Sequence, residues 1–197
     1  VKRTFGLEDQ KKIFLALEFA REQHAGQRRD EGTLFLIHPI RVAITLLTIV
    51  GTWDADIVVS ALLHDVLEDC AVPRVKIRKL FGKRVSKFVC ALTQKHGKKE
   101  SDKEKEKEKI KKLLQLGQQS LEVGLIKCAD FLDNIRCAAD ISVYSPARQK
   151  FPRWNREFRQ AVQVAKSIHP VLYQEMKKDL RVFELKRLAR GVIRIGR

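Results

Sequence analysis

Residues 54–70 read DADIVVSALLHDVLEDC. The stretch is apolar nearly all round, which predicts a helix at the centre of a helical core, with Asp54 as its cap. Yet it carries His64, Asp65, Glu68 and Asp69 close together at one end. On a continuous helix His64 lies over Glu68 and Asp65 over Asp69, and neighbours are about 100° apart, so the four groups form one polar patch. Burying unpaired charges is costly. A divalent metal is the simplest compensation, with His64 and Asp65 as ligands and Glu68 and Asp69 left to manage water or substrate. The competing reading makes Glu68 and Asp69 exposed residues at a helix end and His64 a hydrogen-bonded core histidine. Further ligands elsewhere in the chain decide between the two.

Such residues are present. In LIKCADFLDNIR (125–136), Asp130 and Asn134 stand four apart on an apolar helical pattern and aim two oxygen-bearing side chains in one direction. His38 directly precedes Pro39 and opens another helix, from which it can point at the same spot. Two histidines and two aspartates make a mixed nitrogen and oxygen set suited to Mn2+, Fe2+ or Zn2+, with positions open for water.

The rest of the chain also reads as helix, and no strand pattern competes. Residues 7–26 place Ile13, Leu17 and Ala20, with Phe14 and Leu15, at helical spacing before Gly26. Residues 38–51 form a second helix ending at Gly51, and 73–82 a short one between Pro73 and Gly82, with 83–94 following. Residues 95–112, lysine alternating with acid, predict a solvated loop running into an exposed helix start. Two helices broken near Gly117 follow over 110–141, then a loop over 142–154. Two more helices interrupted by Pro170 run over 155–190, and 191–197 read as a frayed end.

With 197 residues, 44% hydrophobic and 32% charged, the chain fits one globular domain rather than a disordered one. Its apolar runs fall short of the roughly 18–20 residues a membrane span needs. The N-terminal stretch lacks the features of a signal peptide, which predicts a cytoplasmic protein with no membrane anchor. Cys70, Cys90, Cys128 and Cys137 sit singly and read as small buried hydrophobes. The net charge of +16 implies polyanionic company, either nucleic acid or a heavily phosphorylated small molecule. From Arg148 to the end, 14 Lys/Arg face four acidic residues.

Three segments, HAGQRRDEGTLFLIHPIRVA (24–43), ALLHDVLED (61–69) and IKCADFLDNIR (126–136), occur in the order and spacing of the HD-domain metal phosphohydrolases. They resemble in particular the RelA/SpoT-type alarmone hydrolases, and the likeness runs from about Phe14 to Ala139. It implies an all-α HD-domain bundle of roughly eight to ten helices around one metal site, with Mn2+ as the cofactor. His38, His64, Asp65 and Asp130 would be the ligands. Glu68 and Asp69 would handle the attacking water, Arg29 would lie against the base and Asn134 would contact the nucleotide. The implied reaction is hydrolysis of the 3′-diphosphate of ppGpp or pppGpp to GDP or GTP and pyrophosphate.

The family usually shows Pro-Tyr at Leu34-Phe35, and commonly a basic residue and His or Tyr at Phe131 and Asp133. Asp133 is thus expected to add negative charge near a site meant for phosphate. Longer family members carry synthetase and regulatory domains, so this chain reads as a free-standing small hydrolase or an excised domain. It is expected to be one unit, with the motifs on about 8–140 and basic helices over 146–190. The expected partner is a phosphorylated nucleotide and not a nucleic acid, since no helix-turn-helix or RNA-binding signature is present, and the sequence leaves the oligomeric state open. The rival readings are an HD phosphohydrolase for an adenine alarmone or an NADPH-type phosphate, and a nucleic-acid-binding regulator on the same scaffold.

Overall fold

Gly6, in extended conformation, precedes the first helix, α1 (Leu7–Gln23). The computed structural model describes residues 4–93, 115, 120–142 and 144–192. Ala16, Phe19 and Ala20 form the buried face of α1 and Ile13 and Leu17 its half-buried flanks, whereas Phe14 and Leu15 are exposed. At about 100° per residue, Phe14 lies on the side opposite Ala16. The chain then turns through Gly26, whose φ of 76° is a left-handed conformation that favours glycine. An isolated bridge between Arg28 and Leu34 closes the loop that leads to α2 (Ile37–Thr45). A wider π-helical turn, Leu46–Val50, continues α2 and ends at Gly51.

Asp54 caps α3 (Ala55–Leu62) as expected, accepting from the backbone N–H groups of Asp56 at 2.9 Å and Ile57 at 3.4 Å. Every residue of α3 except Asp56 is buried. The continuous helix expected through residue 70 is broken: Leu63 to Asp65 form a turn, and a separate short helix, α4 (Val66–Asp69), follows. The reason is local. The His64 ring bonds the Ala61 carbonyl at 2.8 Å, the acceptor that the Asp65 N–H would use in an unbroken helix.

The α5 segment (Arg74–Leu92) follows Pro73 and is two helical pieces meeting at Gly82, whose φ of 91° is non-helical. Ser120 caps α6 (Leu121–Asp140), which buries 14 of its 20 residues. The expected loop over 142–154 is only partly a loop. Pro146–Lys150 form a 3-10 turn and Phe151 already begins α7 (Phe151–Ile168), because its ring enters the core. Pro170 opens α8 (Pro170–Val192).

Helix α3 is flanked by α1, α2 and α5, and α6 by α2, α7 and α8. Phe183 of α8 meets Phe151 at 5.3 Å and Phe158 at 5.5 Å between ring centres, and Phe158 meets Phe131 of α6 at 6.5 Å. These rings fix the last two helices to α6. Emptying the Phe183 position would cost about 3–5 kcal/mol.

The all-α expectation holds, with no strand among the described residues. Residues 95–112, the helix placed before Gly117 and the last five residues lie outside the described ones. Cys128 and Cys137 are buried, Cys70 and Cys90 half-buried, and all four are free thiols. No helix among the described residues is long and apolar enough to cross a membrane.

Candidate metal centre

Three elements deliver one side chain each or a neighbouring pair. The first turn of α2 supplies His38, the turn after α3 supplies His64 and Asp65, and the middle of α6 supplies Asp130. His38 and His64 are each only 1% exposed, so their positions are set by packing. The His38 Nε2 lies 3.2 Å from His64 Nε2, 3.2 Å from Asp130 Oδ1 and 3.6 Å from Asp65 Oδ2. His64 Nε2 lies 3.0 Å from Asp65 Oδ2 and 3.9 Å from Asp130 Oδ1. Single donor atoms of His38, His64 and Asp65 all fall within 4.8 Å of one another, and Asp130 borders both histidines.

The hydrogen bonds behind the two rings decide what these atoms are. His38 Nδ1 is 2.6 Å from Asp133 Oδ2, and His64 Nδ1 donates to the Ala61 carbonyl at 2.8 Å. A carbonyl can only accept, as can an ionised carboxylate, so both Nδ1 atoms carry hydrogen, and in the neutral form that metal ligands require both Nε2 atoms offer lone pairs. Two lone pairs and two carboxylate oxygens therefore converge on one buried point. A divalent cation is the partner such a set fits.

Burial works against a charged His64, yet the attraction of Asp65, and then of Asp130, pushes its pKa up to about 9, so without a metal the ring holds a second proton that a bound cation would displace. Burial likewise opposes ionised Asp65 and Asp130. His64 outweighs it at Asp65 and Lys127 at Asp130, holding both carboxyls below the usual carboxylate range. The pocket demands positive charge between these groups.

Lys127 is the main fixed counter-charge. It donates to Asp130 Oδ2 at 2.7 Å while its chain passes over the Phe131 ring. Asn134 donates to Asp130 Oδ1 at 2.6 Å and accepts from Arg29 Nη2 at 2.5 Å. The Arg29 guanidinium also lies 3.3 Å from Glu31 and 5.8 Å from the centre of the Phe35 ring. His24 stacks on that ring at 4.5 Å.

Glu68 and Asp69 sit on α4, on the exposed side of the cluster, and the Asp69 N–H donates to the Asp65 carbonyl at 2.9 Å. Burial, then the neighbouring carboxylates of Asp65 and Glu68, push the Asp69 carboxyl up to about 6.

The structure thus gathers His38, His64, Asp65, Asp130, Asn134 and Arg29 into one connected group and sets Glu68 and Asp69 beside it. The expectation for Asp133 needs correction. Its carboxylate is not presented to a phosphate site: it is 3% exposed and bonded to His38, and Arg41 Nε neutralises it at 2.6 Å. The sequence reading also passed over Lys127 and Arg41. Lys127 stands three residues before Asp130 within the quoted motif, a helical ion-pair spacing that was available as a signal. Arg41 meets Asp133 across 92 residues of chain and leaves no local signal.

The sequence pattern of the HD domain matches residues 16–157. A guanosine-3′,5′-bis(diphosphate) 3′-pyrophosphohydrolase of Aquifex aeolicus is 29% identical over 179 residues, covering 82% of this chain and 25% of its own. The bifunctional (p)ppGpp synthase/hydrolase SpoT of Escherichia coli K12 is 33% identical over 136 residues, covering 68% of this chain and 19% of its own. The chain therefore spans about a quarter or less of these curated relatives. A solved metazoan SpoT ortholog, described as hydrolysing ppGpp, superposes with a TM-score of 0.77 at 25% identity. That likeness covers 91% of this chain and 97% of the other.

Proposed function

The chain belongs to the HD-domain family, and from that premise we propose that it hydrolyses the 3′-diphosphate of a guanosine alarmone, ppGpp or pppGpp, to GDP or GTP and pyrophosphate. The carrying observation is the convergence of the His38 and His64 lone pairs with the Asp65 and Asp130 carboxylates on one buried point. The names of the curated relatives and the activity described for the solved ortholog support the choice of substrate.

His38, His64, Asp65 and Asp130 would hold one divalent ion, with Mn2+ the ion the family likeness favours. When bound, that ion lowers the pKa of water and draws charge from the phosphorus under attack. The remaining work falls to the chain. Water adds to the phosphorus joined to the 3′-oxygen, the phosphorus–oxygen bond breaks, and the 3′-oxygen takes a proton as it leaves. Asp69, with a carboxyl pushed up to about 6, is matched to accept the water's proton near neutral pH. Glu68, one residue before it on the same short helix, shares that duty.

Arg29, held by Asn134 and Glu31 with its guanidinium over Phe35, offers a planar cation to the base. Asn134 links this binding side to the ligand Asp130 and contacts the nucleotide from there. Helices α7 and α8 pack on α6 and belong to the same hydrolase unit. The proposed substrate makes the cytoplasm the natural location.

The test is incubation of the manganese-loaded protein with guanine and adenine nucleotides carrying 3′-diphosphates, and with NADPH, resolving products by chromatography. Pyrophosphate and GDP from ppGpp are expected. Turnover of the adenine compounds or NADPH with none of ppGpp would overturn the substrate assignment and keep the phosphohydrolase.

A further inference from the structure

Helix α5 carries seven Lys/Arg and no Asp/Glu over its 19 residues. All seven basic residues are exposed, because Ile77, Phe81, Val85, Phe88, Val89 and Leu92 turn the apolar side into the core. The basic C-terminal helices differ in what their charges do. There Arg159 pairs with Glu184 at 2.7 Å and Lys186 with Asp140 at 2.9 Å, and Lys150, just before α7, pairs with Asp30 at 2.8 Å. Among the described residues only Arg84 of α5 is ion-paired, with Asp54, Asp56 and Glu122, while Lys76 lies over the Phe19 ring. Arg74, Arg78, Lys79, Lys83 and Lys87 have no acidic partner among the described residues.

Like charges on one element repel one another and destabilise it modestly, by amounts comparable to i,i+4 pairs. A row of this kind is relieved by a polyanion whose charges are as regularly spaced. Arg74 with Arg78, and Lys83 with Lys87, stand one helical turn apart, about 5–6 Å. That is the scale of successive charges along a nucleic-acid backbone, where binding arises from cations neutralising phosphates and releasing counterions.

We propose that the outer face of α5 is a binding surface for the phosphate backbone of a nucleic acid, separate from the metal centre. A lipid surface fits less well. Insertion requires a free apolar face, and the apolar face of α5 is packed against α3 and the core, leaving only Val75 and Leu80 of this helix as exposed large apolar residues. Contact through phosphates alone reads no sequence, so the surface binds without base preference.

The test is fluorescence anisotropy of the full chain with a labelled single-stranded RNA of about 20 nucleotides at several salt concentrations. The comparison is between wild type, the α5 variant Arg78→Gln/Lys79→Gln/Lys83→Gln and the α8 variant Lys177→Gln/Lys178→Gln/Arg181→Gln. Wild type should bind with a steep salt dependence. The α5 variant should lose about tenfold or more in affinity at low salt, and its slope of log affinity against log salt should shrink by about 2, the share of three phosphate contacts on a single strand. The α8 variant should stay within about twofold of wild type.

Unfolding midpoints equal to wild type in both variants show that the change is in binding. Absence of RNA binding by wild type overturns the proposal, as does equal loss in the two variants. So does binding to phosphatidylserine vesicles without binding to RNA.

Discussion

His38 and His64 face each other through their Nε2 atoms at 3.2 Å, while the Nδ1 of each ring is committed to an acceptor behind it. Two neutral imidazoles so oriented present lone pair to lone pair, an arrangement that repels unless a proton or a metal cation stands between them. Asp65 and Asp130 complete the ring of donors around the same point.

Asp133 fixes the His38 tautomer from behind, at 2.6 Å, and is itself held by Arg41. Asp133→Ala should weaken Mn2+ binding by about 10–100-fold, the usual effect of removing such a partner. Asp133→Asn, which keeps an oxygen that can accept, should fall between. Isothermal titration with Mn2+ measures both, and equal affinities in all three proteins would show that the His38–Asp133 bond does nothing for the metal.

Lys127 and Asp130 form a buried ion pair at 2.7 Å. Lys127→Met leaves the carboxylate without its fixed counter-charge, and breaking such a pair costs about 3–5 kcal/mol. Urea unfolding of the metal-free protein should show a loss of that order, and saturating Mn2+ should recover part of it. A variant as stable as wild type would mean that Asp130 finds its compensation elsewhere.

Glu68 stands outside the donor set, so Glu68→Gln should keep the metal while turnover drops. A loss of about 10²–10⁴ in rate is expected for removal of a general base. Elemental analysis and steady-state kinetics together separate this from ligand loss. Turnover near wild type would return Glu68 to the role of a helix-end residue.

The Asp69 carboxyl, pushed up to about 6, also makes a stability prediction. Between about pH 4 and 6 the unfolded chain has given up this proton while the folded protein keeps it, so rising pH costs stability across that window. Asp69→Asn removes the group. In chelator-treated protein the stability of the variant relative to wild type should therefore rise from pH 4 to about 6 and then level off. Thermal unfolding across that range tests it, and a difference that does not change with pH contradicts the shift.

The sequence made much of this legible where the controlling interactions are local. Asp54, Gly51 and Gly82 end or begin helices where they were expected to, because capping and left-handed backbone are properties of a few neighbouring residues. His64 with Asp65, and Asp130 with Asn134, announced themselves as polar groups on apolar helices. The turn at Leu63–Asp65 did not, since it depends on the His64 ring competing for the Ala61 carbonyl. Nor could the pattern show that Asp133 serves His38, because the two residues lie 95 positions apart and meet only in the folded protein. The charge count singled out the C-terminal quarter, but exposure and pairing single out α5, and pairing is a tertiary property.

Titrating chelator-stripped protein with Mn2+ while following pyrophosphate release from ppGpp tests whether this donor set drives the hydrolysis. Release should be absent at the start, rise in proportion to bound metal and saturate at about one ion per chain, the capacity of a single such donor set. Asp65→Ala should neither bind the ion nor release pyrophosphate. Full release by the stripped protein in excess chelator, or none at saturating metal, would contradict the account.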